Sequence, residues 1–185
     1  MTNPSAPQPG LQFPPEYAEL IAHVVTTWSN LEFGVNQTIW ALADAPQAYG
    51  ACITSQLTSL HSRLNALVAL MRVRGCSDKL ISRVNKFAED VRGAQEKRNR
   101  IIHDPWLNSV EWPMILGRIE ITAPKKLTIS AKSISVDDLK SDLKTIKTCA
   151  ISFFEIKQSI LDELPSLRDK HEIELNPITT LRSGQ

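Results

Sequence analysis

The sequence has little net charge and few cysteines, and both shortages exclude classes of protein. Its 185 residues carry 21 basic and 20 acidic side chains, a formal net charge of +1. It therefore lacks the strong positive field of a general nucleic-acid binder, so that any nucleic-acid site must be local. The three cysteines, Cys52, Cys76 and Cys149, form no CxxC pair and have no histidine at ligand spacing. This argues against a zinc site and a disulfide framework, and a reducing cytoplasm is the simplest compartment.

Long apolar runs and several familiar enzyme motifs are also missing. No segment approaches the length of a membrane span, and residues 1–15, with five prolines, hold no apolar stretch typical of a signal peptide. We therefore expect a soluble cytoplasmic protein with no membrane partner. There is no Walker loop, dinucleotide fingerprint, HExxH or nucleophile elbow, so kinases, dehydrogenases, zinc proteases and α/β-hydrolases have no support. We expect neither a bound metal nor a cofactor.

Apolar residues recur at three- and four-residue spacing in four parts of the chain and predict four long amphipathic helices. These helices cover about residues 16–43, 53–75, 77–104 and 135–164. Gly75 is suited to the C-terminus of the second helix, and Pro105 ends the third. Ser135 and Asp138 form a start that resembles a capping box for the fourth.

Between Met114 and Ser130 the apolar period changes from helical to alternating, on either side of a turn at Pro124-Lys125-Lys126. This pattern is typical of a β-hairpin. We predict a mainly α fold, an antiparallel bundle of about four long helices with a small hairpin at about residues 114–130 inserted before the last helix. The expected organisation is a proline-rich arm over 1–15, one helical domain over 16–164 and a polar tail over 165–185.

The most specific segment runs from Arg98-Asn99 to His103, at the end of the third predicted helix. It places a guanidinium, a carboxamide and an imidazole within a turn and a half. An imidazole, with an ordinary pKa of ~6.5, can take the proton of a ribose 2′-hydroxyl or give one to the leaving 5′-oxygen. A guanidinium can bind a phosphate through two hydrogen bonds and gains most as negative charge builds in the transition state. These three residues are therefore candidate catalytic groups for RNA cleavage without a metal.

The arrangement Arg98-Asn99-x-x-x-His103, with four residues between the arginine and the histidine, resembles the signature of the HEPN superfamily of helical domains. The resemblance covers residues 16–164 as a fold and Arg98–His103 as a motif. It implies a metal-independent endoribonuclease of toxin–antitoxin, phage-defence or RNA-processing systems, with two motifs meeting in one cleft of a homodimer. It also implies that Arg98 binds phosphate and stabilises the transition state, that His103 is the acid or base, and that Asn99 positions its partners. RNA or a nucleotide is then the expected ligand, and an antitoxin protein a further partner.

Helical geometry gives a separate view of Arg98, which follows Val91 by seven residues and precedes Ile102 by four. This position is on the apolar stripe, where a buried ion pair and a cleft at a dimer seam are the alternatives, and the neighbouring polar groups favour the cleft. His103 lies about 140° around an ideal helix from Arg98. For the two side chains to meet, the arginine must reach around the helix, the last turn must be distorted, or the second residue must come from another subunit. A dimer explains the meeting of the two side chains most simply.

Two acidic residues are candidates for a supporting role. Glu32 lies one turn after Trp28, where it can pair with Arg98, orient His103, or be an ordinary carboxylate at the rim of the helix. Asp104 follows the histidine directly and can pair with it near the negative end of the helix dipole.

Basic and aromatic residues around the motif also have two interpretations. Arg92, Lys97 and Arg100 can bind flanking phosphates of an RNA or form a solvated helix face among acidic neighbours. Trp106 and Trp112 can stack on a base, although packing in the core or on the hairpin is the more common use of such side chains.

The leading hypothesis is therefore a HEPN-like ribonuclease that forms a 2′,3′-cyclic phosphate. The alternative is a non-catalytic helical module that binds a nucleotide, RNA or protein and uses Arg98 only for phosphate or carboxylate recognition. The near-neutral net charge favours this alternative. In a third interpretation the polar motif only specifies a homodimer.

Overall fold

The computed structural model describes residues 13–108, 116–122 and 128–171, and over these residues the protein is mainly helical. The elements are α1 (Pro15–Ala43), α2 (Gln47–Ser55), α3 (Leu60–Val73), α4 (Asp78–His103), β1 (Trp106–Asn108), β2 (Leu116–Thr122), β3 (Thr128–Ile134) and α5 (Val136–His171). Among the described residues this makes five helices and a three-stranded antiparallel sheet before the last helix, which confirms the predicted mainly α fold with an inserted hairpin. The predicted arm up to residue 12, Trp112, the turn at 124–126 and the tail beyond 171 lie outside the described residues.

Helix α3 ends and helix α5 begins at the capping residues that the sequence predicted. Gly75 adopts φ +72°, a left-handed conformation that only glycine takes without a steric penalty. The Cys76 amide then donates to the Met71 carbonyl at 2.9 Å, which closes α3. At the start of α5, the Ser135 amide donates to the Asp138 carboxylate at 2.9 Å and the Asp138 amide donates to the Ser135 hydroxyl at 3.1 Å. This reciprocal pair is the predicted capping box.

The prediction of one continuous second helix is wrong, because the structure divides this segment into α2 and α3 at residues 56–59. The Ser59 hydroxyl accepts a hydrogen bond from the Ser62 amide at 3.0 Å and so starts a new helix. Ile53, which was assigned to the apolar stripe, is 56% exposed. Apolar spacing alone could not show this break, because the residues on both sides of the cap keep a helical period.

Two other boundaries differ from the prediction. Strand β1 was not predicted, and three residues are too few to show an alternating pattern. Helix α5 continues past Leu164 and through Pro165 to His171. A proline removes one amide donor and often kinks a helix without ending it. Pro165 was therefore not the end of this helix, contrary to the prediction.

Contacts divide the chain into two compact units. Of the described residues, the first contains 13–32, 89–108, 116–122 and 128–152, and the second contains 33–88 and 153–171. The buried side chains of the first unit include those of Val24, Trp28, Leu31, Val91, Ala94, Ile101, Leu116, Leu139 and Ile146, and those of the second include Val35, Leu42, Leu64, Met71, Val84, Phe87, Phe153 and Ile160. None of the helices in the described part of the chain combines the length and the apolar character needed to cross a bilayer.

The sheet lies in the first unit and is antiparallel throughout. β2 pairs with β1 in a register that sets Arg118 opposite Trp106, and with β3 in a register that sets Leu116 opposite Ile134. Because side chains alternate between the two faces of a strand, Leu116 and Arg118 share one face. Both are buried, at 0% and 4% exposure. The sheet therefore buries a charged side chain beside an apolar one.

Candidate functional site

The Arg98–His103 segment forms the last turn and a half of α4, in the first unit. Ala94 and Ile101 are buried on one side of this part of the helix, whereas Asn99 and His103 are exposed on another. Pro105 lies two residues after His103 and cannot continue the helix. The segment is thus held by its apolar side and presents its polar side to solvent.

Arg98 brings the three groups of the motif together. Its Nη1 donates to Asn99 Oδ1 at 3.1 Å and lies 3.1 Å from His103 Nε2. The reach of the arginine therefore spans the angle that separates it from the histidine on the helix. One chain suffices for this contact, and the convergence gives no reason to require a second subunit.

The contact between Arg98 and His103 favours one tautomer of the imidazole. A guanidinium has five N–H donors and no acceptor. His103 Nε2, 3.1 Å from Nη1, can therefore take part in this hydrogen bond only as the acceptor, which corresponds to the tautomer with the ring proton on Nδ1. The lone pair with which His103 would take a proton is held by Arg98 in this structure.

Arg98 has a second unusual feature at its inner end. The side chain is half-buried, and its Nε is buried with no hydrogen-bond partner among the residues that the structure describes. A buried donor left unpaired costs about 1–3 kcal/mol of stability. The position on the apolar stripe of α4 that the sequence predicted is thus real, and it places a destabilising group beside the motif. Such local conflicts with folding are common at functional sites.

An open depression of about 320 Å³ adjoins the motif. It is lined by Glu96, Asn99, Arg100, His103, Asp104 and Ile121. Its volume is at the lower end of the range of small-molecule sites. Since both Asn99 and His103 line it, a ligand in the depression reaches the imidazole directly.

Asp104 pairs with arginines in this structure, whereas the sequence suggested a pair with His103. Its Oδ2 lies 3.5 Å from Arg118 Nε and 3.6 Å from Arg100 Nη1. Glu120 completes the cluster, with Oε1 2.7 Å from Arg118 Nη2 and Oε2 3.5 Å from Arg100 Nη1. The hydrogen bond from Arg118 is the main cause that lowers the pKa of Glu120 below its ordinary value of 4.5, and the charges of Arg100 and Arg118 add to it.

Sequence reasoning missed Arg118 altogether. The only signal available was a charged residue between Leu116 and Ile119 in a segment predicted to alternate. An arginine at such a position is ordinarily solvent-exposed, and its burial depends on strand pairing that the sequence does not reveal.

The three basic residues proposed to bind flanking phosphates differ in their surroundings. Lys97 Nζ lies 2.8 Å from Asp142 and donates to the Thr145 hydroxyl at 3.3 Å, so its charge is already neutralised within the protein. Arg100 is likewise engaged by carboxylates. Arg92 is exposed on α4. The structure thus leaves Arg92 as the better placed of the three for a phosphate.

Trp106 and Glu32 both have partners within the first unit. The Trp106 indole donates to the Ile101 carbonyl at 2.9 Å and its ring meets that of Phe13 edge to face at 5.6 Å, an arrangement that favours packing over base stacking. Glu32 Oε1 accepts a hydrogen bond from the Trp28 indole at 3.1 Å. A role for Glu32 beside Arg98 or His103 stays a prediction.

The described residues include no group of three or more histidine, cysteine, aspartate or glutamate side chains placed to hold a metal ion. A scan against protein-family models, a search of curated proteins and a search of solved structures each found no match to this chain.

Proposed function

We propose that the protein is a metal-independent endoribonuclease of HEPN type, with its site at Arg98, Asn99 and His103. The observation that carries the proposal is the 3.1 Å contact of the Arg98 guanidinium with both neighbours, beside an open depression. This arrangement puts a cation for the phosphate next to a group that transfers protons near neutral pH. RNA cleavage by its own 2′-hydroxyl needs both.

The contact between Arg98 and His103 suggests how substrate starts the reaction. A phosphate binds a guanidinium more strongly than a neutral imidazole does, because the hydrogen bonds are then charge-assisted. Phosphate binding thus draws Nη1 away from His103 Nε2, 3.1 Å from it in the free protein. The lone pair of Nε2 becomes available only when substrate is present. Asn99 Oδ1, which also accepts from Nη1, steadies the guanidinium during this exchange.

In the reaction that follows, His103 Nε2 takes the proton of the ribose 2′-hydroxyl. The 2′-oxygen forms a bond to phosphorus, and the bond from phosphorus to the 5′-oxygen breaks. The leaving 5′-oxygen takes a proton from water, and the hydroxide that remains takes the proton from His103 Nε2, which gives a 2′,3′-cyclic phosphate, a 5′-hydroxyl and a neutral imidazole. Arg98 stabilises the extra negative charge on the phosphoryl oxygens at the transition state. A homodimer, an antitoxin partner and a cytoplasmic location belong to the same proposal through the resemblance.

The test is cleavage of total RNA and transfer RNA in EDTA by the wild type, His103→Ala and His61→Ala. His61 is a matched control, since it is an exposed helical histidine of the other unit. We expect the wild type and His61→Ala to cleave and to leave cyclic phosphate ends, and His103→Ala to lose cleavage while its circular dichroism spectrum stays unchanged. Absence of cleavage by folded wild type, or cleavage by His103→Ala at the wild-type rate, refutes the proposal.

The second candidate is a non-catalytic module that recognises a single phosphate or carboxylate. Its support is that Lys97 and Arg100, two of the three basic residues of α4 considered for flanking phosphates, are both engaged by carboxylates. In this case the same proteins cleave nothing, and a labelled nucleotide binds the wild type and His61→Ala but not Arg98→Ala.

A further inference from the structure

Arg118 is a buried arginine with an unusual set of partners. Its side chain is 5% exposed, and among the described residues it is the one charged residue that is buried. Moving an unpaired charge of this kind out of water costs several kcal/mol. Such a buried charge is stable only when opposite charges compensate it. The partners of Arg118 therefore identify the part of the structure that it stabilises.

Those partners form a cluster without net charge. Two arginines, Arg118 and Arg100, meet two carboxylates, Asp104 and Glu120, at distances between 2.7 and 3.6 Å. Arg118 donates a short hydrogen bond to Glu120 on its own strand. Its Nε lies 3.5 Å from Asp104 Oδ2 in an ion pair, and within the described part of the chain both atoms are buried without a hydrogen-bond partner. Asp104 Oδ2 also lies 3.6 Å from Arg100 Nη1, so the buried charge of Arg118 is compensated by Glu120 and by a carboxylate that it shares with Arg100.

The cluster joins the sheet to the end of α4. Glu120 and Arg118 belong to β2, whereas Arg100 belongs to the last turn of α4. Asp104 follows His103 directly, and its amide still donates to the Arg100 carbonyl at 3.2 Å. A backbone hydrogen bond of 2.9 Å from Ile119 to the Pro105 carbonyl fastens the same two segments. The last turn of α4, which carries His103, is therefore fixed from the sheet side.

We propose that Arg118 is a positioning residue for His103. By holding Asp104 it keeps the last turn of α4 in the orientation in which Arg98 reaches the imidazole. The proposal rests on the proposed function, in which His103 transfers the proton. Arg118 is buried, whereas Asp104 lines the depression. Because Asp104 is the residue directly after His103, a change at Arg118 reaches His103 through the backbone of Asp104.

Loss of this constraint should affect the chemical step more than binding. A misplacement of about 1 Å in a catalytic group can lower a rate about 100-fold. Arg98, which binds the phosphate, lies more than a turn earlier on α4, beside the buried Ala94 and Ile101. We therefore expect kcat to fall by about 10- to 100-fold and KM to change by less than about 3-fold.

Two variants weaken the cluster without leaving a buried charge alone. Asp104→Asn keeps the shape of the side chain, and Arg118 retains Glu120 as its partner. Arg118→Lys keeps the charge and loses the planar fork that faces two carboxylates at once. The control is Val84→Ala, a cavity-forming change in the other unit at a side chain with 0% exposure. It lowers stability without touching the cluster, and all proteins are assayed at a temperature at which each is folded.

A second measurement does not depend on cleavage. Long-range ¹H–¹⁵N spectra of the histidine rings report which nitrogen carries the proton. We expect the wild type and Val84→Ala to show His103 with its proton on Nδ1, and Asp104→Asn and Arg118→Lys to show a mixture of the two tautomers.

The outcomes separate this inference from the proposed function. A fall in kcat together with altered His103 signals, in both cluster variants and not in Val84→Ala, supports positioning by Arg118. Altered ring signals in a protein that cleaves no RNA also support it, and then only the ribonuclease proposal fails. Cluster variants that lose no more activity than Val84→Ala and keep the wild-type ring signals overturn it.

Discussion

Replacing Arg98 by methionine separates the stability of the fold from the chemistry of the site. Methionine keeps most of the aliphatic stem and removes the guanidinium, including the buried Nε that has no hydrogen-bond partner. Removal of that unpaired donor returns about 1–3 kcal/mol. The substitution also removes the two exposed hydrogen bonds to Asn99 and His103, worth about 0.5–1.5 kcal/mol each. The two effects nearly cancel, so we expect the free energy of unfolding to change by less than about 1 kcal/mol, or a Tm change within about 4 °C.

The same change should abolish most of the activity. Removal of one donor that stabilises an oxyanion lowers a rate by about 100- to 1000-fold, and Arg98→Met removes the whole guanidinium. The assay is single-turnover cleavage of a fluorescent RNA in EDTA, with urea denaturation followed by circular dichroism on the same samples. The control is Arg83→Met, the same change on the same helix, at an exposed arginine that donates to the Ser159 hydroxyl at 3.1 Å. It should lose no activity.

The result that refutes this reasoning is a large loss of stability. If Arg98→Met lowers the free energy of unfolding by more than about 2 kcal/mol, the guanidinium belongs to a buried ion pair, and the alternative interpretation of the apolar stripe is correct. If both stability and cleavage stay at the wild-type level, Arg98 has no role in either.

Two further predictions concern the fold. Gly50→Ala places a Cβ 2.9 Å from Trp40 Nε1 and closer still to two ring carbons, so it should lower the free energy of unfolding by about 1–3 kcal/mol, measured by thermal denaturation. Gly93→Ala has nothing within 4 Å of its Cβ and should raise the free energy of unfolding by about 0.5–1 kcal/mol. Equal effects of the two substitutions would contradict this packing of Gly50 against Trp40. The lowered pKa of Glu120 adds stability that is fully present above its ordinary value of 4.5 and is lost as the pH falls through the folded value. Glu120→Gln should therefore flatten the loss of stability below about pH 5, and an unchanged pH profile would show that the pair with Arg118 contributes nothing.

The parts of the fold that the sequence predicted are those that local residues decide. Helical periods in α1, α4 and α5 arise from each segment's own apolar residues. The positive φ of Gly75 and the capping box of Ser135 with Asp138 need only neighbours within a few positions. These signals survive in any tertiary context, which is why the boundaries they set were right.

The candidate site could be predicted only in its local part. The motif residues and the reach of Arg98 follow from one helix, although the sequence left three ways for the histidine to be reached. The partners of Asp104 and the burial of Arg118 depend on the register in which β2 faces β1 and on where the sheet meets α4. No local pattern encodes that register, because β1 has only three residues.

The distribution of charge bears on what such a site could recognise. Lys97 and Arg100 are committed to carboxylates of the first unit, and the depression is lined by two acidic residues, Glu96 and Asp104. A strand of RNA held mainly through its phosphates would need several uncommitted cations along one face. Among the basic residues near the motif on α4, this leaves Arg98 and the exposed Arg92 for contacts with a phosphate. Selectivity in such an enzyme would therefore come from the shape of the RNA around one linkage more than from electrostatic attraction along the strand.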